Sequence, residues 1–203
     1  MAELGRLHVI TDRLPIAAAA LDAGAPVIQV RAKDATDAEV HDLTCRVLEL
    51  AAPHGATVVV DDRLDVALAA GAHGVHVGEH DLPVGAARRV AADPAFVVGG
   101  TARDPLTARA HQIAGATYLG VGPCYATSSK VGLPEPGGAE RVRAVAAAVS
   151  IPVIAIAGVT AARIPELLEA GAHGVAVIGA IRDADDPRAA TRELLAALEA
   201  VQP

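Results

Sequence analysis

Two aspartates stand just past the ends of two short apolar runs. Val58-Val59-Val60 stops at Asp61-Asp62, and Gly74-Val75-His76-Val77 stops at the turn Gly78-Glu79-His80-Asp81. Between them lies a helical segment with Leu64, Val66, Ala67 and Leu68 as its apolar side, closed by Gly71. A strand, a helix and a strand in this length make one βαβ unit, whose strands run parallel. Asp62 and Asp81 therefore fall at the same end of the sheet. Paired carboxylates there suit Mg²⁺, which takes one or two of them and fills its other positions with water and phosphate oxygens. A helix-capping Asp62 and a solvated turn residue at Asp81 fit the same pattern.

Cations follow an earlier strand, which ends Gln29-Val30-Arg31-Ala32-Lys33-Asp34. Alternation places Gln29, Arg31 and Lys33 on one side, and an Arg turned into a closed barrel needs an anionic partner, so this edge reads as ligand-binding. Further along, Gly120-Val121-Gly122-Pro123 leads into Cys124-Tyr125-Ala126-Thr127-Ser128-Ser129-Lys130-Val131-Gly132. Hydroxyls, a lysine and glycines make a loop able to grip phosphate, and an ordinary polar surface loop has the same composition. Two later runs end at Ala157-Gly158-Val159-Thr160 and at Val177-Ile178-Gly179-Ala180, where backbone N–H groups could cradle a second phosphate. Among eight histidines, His76 is singled out by its place between two strand valines, whereas His73 and His173 precede strands and belong to the opposite face. Cys124 has no partnered base and reads as a small buried filler.

The elements that position these residues are marked by a repeat. Ala-Gly-Ala (residues 23–25, 70–72, 114–116 and 170–172) recurs each time a helix-like segment gives way to an apolar run. Gly in the left-handed conformation ends helices, and small neighbours allow a close return to the sheet. The glycines are 47, 44 and 56 residues apart, which is two βα units rather than one. The intervening strands are read at Leu7–Thr11, Thr57–Val60, Phe96–Val98 and Pro152–Ala157. Eight strands alternating with helices predict an α/β fold, a (β/α)8 TIM barrel, as a single domain over residues 1–203. A doubly wound open sheet is the runner-up; its Gly-rich loop is missing after the first strand, where Thr11-Asp12-Arg13-Leu14-Pro15 stands.

With 52% hydrophobic residues the chain is not disordered, and with Phe96, Tyr118 and Tyr125 as its only aromatics the core must be aliphatic. A net charge of −7 without a basic run argues against nucleic acid. No stretch approaches the roughly 20 apolar residues of a membrane span. Residues 1–6 do not read as a signal peptide, and Cys45 and Cys124 form no motif, so a cytoplasmic protein is expected.

Taken together the stations resemble the thiamine phosphate synthase family and the related thiazole tautomerases, and are closer to the synthases. The resemblance runs from Leu7 to about Ile181. It is carried by Val9-Ile10-Thr11-Asp12, Gln29-Val30-Arg31-Ala32-Lys33, Asp62-Arg63-Leu64-Asp65, Gly74-Val75-His76-Val77-Gly78 with Asp81-Leu82-Pro83, Gly120-Val121-Gly122-Pro123, Thr127-Ser128-Ser129-Lys130 and Ala155-Ile156-Ala157-Gly158-Val159. It implies a transferase that joins hydroxymethylpyrimidine pyrophosphate to thiazole phosphate, releasing pyrophosphate and forming thiamine phosphate. On that likeness Mg²⁺ is held by Asp62 and Asp81. Arg31, Lys33 and Lys130 serve the departing pyrophosphate, with Gln29 and Thr101 also touching it and Asp61 beside it. His76 lies by the pyrimidine, and Thr127, Ser129, Gly158, Ile178 and Gly179 hold the thiazole phosphate.

The chain departs from the family pattern in places. Asp61 stands where Asn is usual, His8 where the synthases have Tyr (a feature seen among the tautomerases), Thr101 for Ser, Ala126 for Pro, Ser129 for Thr, Ala157 for the first Gly of a pair and Gly179 for Ser. A carboxylate beside pyrophosphate needs compensation, for which a shared or second Mg²⁺, favoured by the adjacent Asp62, or a proton kept on Asp61 are the two routes weighed. A tautomerase acting on carboxythiazole phosphate is the first rival reading. Its proton transfer needs an acid and a base, and Arg103 occupies the position of its His. A non-catalytic phosphate-binding relative is the second rival.

Overall fold

Eight parallel strands pair in chain order and close on themselves: β1 (Leu7–Thr11), β2 (Val27–Val30), β3 (Thr57–Asp61), β4 (Gly74–Val77), β5 (Val97–Ala102), β6 (Tyr118–Val121), β7 (Val153–Ile156) and β8 (Gly174–Val177). β8 returns to β1 with Ala176 opposite His8 and Val177 opposite Val9, so the sheet has no edge and the doubly wound alternative is excluded. The structure, a computed structural model, describes residues 4–129 and 132–201. Around the barrel run α1 (Leu14–Asp22), α2 (Asp37–Ala51), α3 (Leu64–Ala70), α4 (Val84–Val90), α5 (Pro105–Ile113), α6 (Gly138–Ala146), α7 (Ile164–Glu169), α8 (Gly179–Arg182) and α9 (Pro187–Glu199). Among the described residues no helix is long and apolar enough to cross a membrane.

The repeated Ala-Gly joints close α1, α3, α5 and α7. Gly24, Gly71, Gly115 and Gly171 have φ of 98°, 72°, 95° and 94°, the left-handed region that a side chain resists. Just beyond two of these joints, His73 Nδ1 accepts from Val58 N–H at 2.9 Å, and His173 Nε2 hydrogen-bonds the Leu4 carbonyl at 2.7 Å. Both histidines thus tie down the end of the barrel opposite the candidate site. One helix face was misread. Leu64, Val66 and Ala67 are buried, but Leu68 is 41% exposed, because burial of Val66 centres the apolar arc on Ala67 and leaves Leu68 beyond its edge.

Alternate residues of each strand face opposite ways. Val9, Ile28, Val30, Val58, Val60, Val75, Val98 and Leu119 belong to the large aliphatic core that includes the helices. Ile10, Tyr118, Ile154 and Ala176 form a second, smaller cluster on the barrel axis. Around that axis β5 is longer than its apolar run suggests, continuing through Gly99-Gly100 to Ala102. The two glycines are there because neighbours press from both sides. A Cβ on Gly99 would collide with the rings of Tyr118 and His76, and one on Gly100 would lie 2.9 Å from Val84 Cγ2. What reads locally as a strand breaker is space reserved for larger side chains, those of Tyr118 and His76 within the barrel and of Val84 and His111 on the helices outside it.

Gly99→Ala should therefore lower stability by about 1–3 kcal/mol, the usual cost of overpacking a well-filled core. Denaturant unfolding of wild type and variant would show it, and an unchanged midpoint would mean that Tyr118 and His76 can move aside.

Candidate active site

A cavity of about 1010 Å³ opens at the C-terminal ends of the strands. Every site residue expected from sequence within the described residues lines it: Gln29, Arg31 and Lys33 after β2, Asp61 and Asp62 after β3, His76 and Asp81 from β4 and its loop, Thr101 on β5, Thr127 and Ser129 in the loop after β6, Gly158 after β7, and Ile178 and Gly179 after β8. Lys130 lies outside the described residues.

Parallel pairing explains why the charges meet. Val30 is opposite Val60, so the next residues, Arg31 and Asp61, emerge side by side, and Arg31 N–H is fixed by the Thr11 carbonyl at 3.0 Å. Arg31 Nε is 3.2 Å from Asp61 Oδ2, and Lys33 Nζ is 3.1 Å from the same oxygen and also pairs with Asp62 Oδ2. The Arg31 partner is thus supplied by the chain itself. Two cations of the chain, Arg31 and Lys33, stand against Asp61 and neutralise it. The contacts with Asp61 Oδ2 are ion pairs rather than directed hydrogen bonds, for that buried oxygen has no hydrogen-bond donor among the described residues.

Asp62 does not cap α3. The cap position is Arg63, without a side-chain cap bond, and Asp62 has φ 64°, a left-handed turn that Asp tolerates better than most residues. Its N–H donates to the His76 carbonyl at 2.7 Å, extending the β3–β4 pairing by one step. Asp81 has a structural contact, accepting from Gly78 N–H at 2.8 Å through Oδ2. Both carboxylates nevertheless face the one cavity.

Beneath the charges lies a layer of hydrogen-bonded polar side chains. His76 Nδ1 is 3.0 Å from the Tyr118 hydroxyl and His76 Nε2 is 3.0 Å from Thr101 Oγ1. Gln29 bonds the same phenol, whose ionisation is pushed up first by burial and then by the Asp61 charge. His8 meets the Tyr118 ring edge-on at 5.1 Å between centroids and hydrogen-bonds the Gly5 carbonyl at 3.2 Å. Its pKa is pushed down to about 3, chiefly by burial and then by the proximity of His76, so it is a poor proton acceptor.

On the far side, the loop after β6 turns toward β7 and β8. Thr127 Oγ1 accepts from Ser129 N–H at 3.2 Å, and Ser129 Oγ lies 3.3 Å from where a Cβ on Gly179 would stand. Gly158 has φ 65° and a Cβ there would lie 2.6 Å from the Ala126 carbonyl oxygen, so no other residue fits. Its neighbour Ala157 carries the same hand, φ 76°. Arg163 donates to the Gly158 carbonyl at 2.5 Å and stacks 4.1 Å over the Tyr125 ring. Cys124 is buried, and burial lifts its thiol to about 11, as suits a filler.

Sequence reasoning missed Tyr118, Arg103 and Arg163 as residues of this cavity. The alternation that selected Gln29 and Arg31 could have found two of them, since Tyr118 shares a face with Gly120, and Arg103 shares one with Thr101.

A family model described as thiamine monophosphate synthase matches residues 7–181. A thiamine-phosphate synthase of Salinispora arenicola is 55% identical over 98% of this chain and 99% of its own, and one of Salinispora tropica is 56% identical over the same shares. Among solved structures, the thiamine phosphate pyrophosphorylase of Pyrococcus furiosus superposes with a TM-score of 0.89 at 34% identity, covering 98% of this chain and 97% of that one.

The buried His8 makes stability depend on pH in a definite direction. Below its ordinary value of 6.5 the unfolded chain takes up a proton that the native chain refuses until about pH 3, so acid favours unfolding across that window. From pH 7 to pH 5 this one group should remove about 2 kcal/mol, at about 1.4 kcal/mol per unit below the unfolded value. Denaturant unfolding of wild type and His8→Phe at both pH values checks it: wild type should lose more, and equal losses would mean that native His8 is protonated freely.

Proposed function

The chain belongs to the thiamine monophosphate synthase family, and from that premise we propose that it joins hydroxymethylpyrimidine pyrophosphate to thiazole phosphate, forming thiamine phosphate and releasing pyrophosphate. The observation that carries the reading is one cavity lined by two sets of groups whose chemistry suits anions. Gln29, Arg31, Lys33 and Thr101 stand on one side with the carboxylates Asp62 and Asp81. Hydroxyls of Thr127 and Ser129 and the glycine-rich backbone at Gly158, Ile178 and Gly179 stand on the other. A diphosphate fits the first and a monophosphate the second.

The chemistry follows from where charge grows. As the bond from the pyrimidine methylene carbon to oxygen lengthens, negative charge builds on pyrophosphate, and Arg31 and Lys33 stabilise it, joined by Lys130. Removing preorganised donors of this kind costs on the order of 3 kcal/mol each. His76, fixed through both ring nitrogens, presents a rigid face to the pyrimidine. The thiazole nitrogen attacks without help from a base, so no acid–base dyad is needed. The depressed basicity of His8 weighs against the tautomerase alternative, whose proton transfer requires one.

The donor set fits Mg²⁺. Asp62 and Asp81 offer hard carboxylate oxygens to one cavity, and among the described residues no group of three His, Cys, Asp or Glu side chains converges on a point. That suits an ion that completes its shell from water and substrate oxygens. Bound there, Mg²⁺ would neutralise charge on the leaving pyrophosphate. We place the enzyme in the cytoplasm, acting on small phosphorylated molecules.

Purified protein given both precursors and Mg²⁺ should yield thiamine phosphate and pyrophosphate in equal amounts; absence of product at every Mg²⁺ concentration would overturn the reading. Asp81→Ala should reduce turnover at least a hundredfold while the protein stays folded by circular dichroism, and activity that survives both this change and chelation would remove the metal from the proposal. Asp61→Asn releases one charge from Arg31 and Lys33. It should lower KM for the pyrimidine pyrophosphate several-fold and reduce the Mg²⁺ needed for full activity. If both quantities stay put, Asp61 does not compete with the substrate for those cations.

A further inference from the structure

Arg103 follows β5 two residues after Thr101, and alternation turns both side chains to the cavity while Ala102 between them is buried with the outer core. Its side chain is 29% exposed. One Nη group pairs with Glu79, in the turn after β4. Its Nε is buried and has no acceptor among the described residues. A buried cationic N–H without a partner is costly, and such groups are retained where something outside the protein completes them. Arg103 lines the same cavity as Arg31, Lys33, Asp62 and Asp81.

We propose that Arg103 is a further diphosphate-binding residue, held by Glu79 in the ligand-free protein and transferred to the substrate's diphosphate when that anion enters. This rests on the synthase reading and extends its list of ligands. The guanidinium fork presents several N–H donors in one plane, a match for phosphate oxygens that an ammonium lacks. The exchange resembles that available to Arg31 and Lys33, whose carboxylate partner is Asp61. In each case a side chain of the protein keeps a half-buried cation neutralised and oriented, and a more highly charged anion displaces it. The cation is already partly desolvated, so little further dehydration opposes the swap.

The signs of two substitutions test the idea. Binding of inorganic pyrophosphate with Mg²⁺, measured by calorimetry, should weaken at least tenfold in Arg103→Ala and less in Arg103→Lys. In Glu79→Gln it should tighten several-fold, and that gain should vanish in the Glu79→Gln, Arg103→Ala double variant. If the pair only braced the turn after β4, both single changes would weaken binding, which overturns the proposal. So would wild-type affinity in Arg103→Ala, or a gain from Glu79→Gln that persists without Arg103. Should Arg103→Ala fail to fold, as judged by circular dichroism, Arg103→Gln takes its place in both the single and the double variant. Wild-type turnover with pyrophosphate affinity indifferent to Arg103 sinks this proposal alone. A wild type that neither binds pyrophosphate nor forms thiamine phosphate sinks the synthase reading, and this one with it.

Discussion

A closed eight-stranded barrel leaves an axial space that its own inward side chains must fill, and the remaining arrangement of this protein follows from how that is done. Ile10, Ile154 and Ala176 pack there as aliphatic residues. Tyr118 and His76 are much larger and fit because Gly99 presents no side chain between them. A dry interior tolerates polar groups only when they bond one another. The phenol, the imidazole, the Gln29 amide and the Thr101 hydroxyl do so, forming a layer fixed at several points. Fixing that layer also fixes the floor of the cavity above it. The side chains of this floor are thereby held by core packing, whereas Asp81, Thr127 and Ser129 stand above it on loops.

Above the floor, the governing interaction is charge pairing at reduced solvent exposure. An acidic protein of net charge −7 gains nothing from long-range attraction for an anionic ligand. Affinity has to be local, and local cations at a half-buried mouth require counter-charges when no ligand is present. Asp61 and Asp62 neutralise Arg31 and Lys33, and Glu79 neutralises Arg103. These carboxylates keep the cations neutralised and oriented at the mouth of the cavity. Asp61, where the family pattern has Asn, stands in such a pairing with Arg31 and Lys33.

Much of this protein was legible before folding was considered. Helix ends were marked by glycines whose left-handed conformation is a local property of the chain. Strands were marked by β-branched runs, and the observed β1 coincides with the range read from them. The site residues could be named because strand ends in a parallel barrel all face one way, a rule that needs only the order of elements. The resemblance to a family then grouped them by ligand. The misreadings have one character. Leu68 was placed inside although the burial of Val66 turns it outward, and β5 was cut short at glycines that its neighbours require.

Chain order alone determined the barrel and the end of it at which the cavity opens, because those depend on local conformation and on the parity of strand residues; the family resemblance added residues such as Thr101. Which side chains touch was decided only by the tertiary structure. Arg31 meets Asp61 because the β2–β3 register sets Val30 beside Val60, and Tyr118 meets His76 across a glycine of β5, between residues 42 apart in the chain. Arg103 finds Glu79 through the turn that follows β4. Pairings of this kind depend on register, closure and loop path together, and these are properties of the assembled sheet that no single stretch of the chain carries.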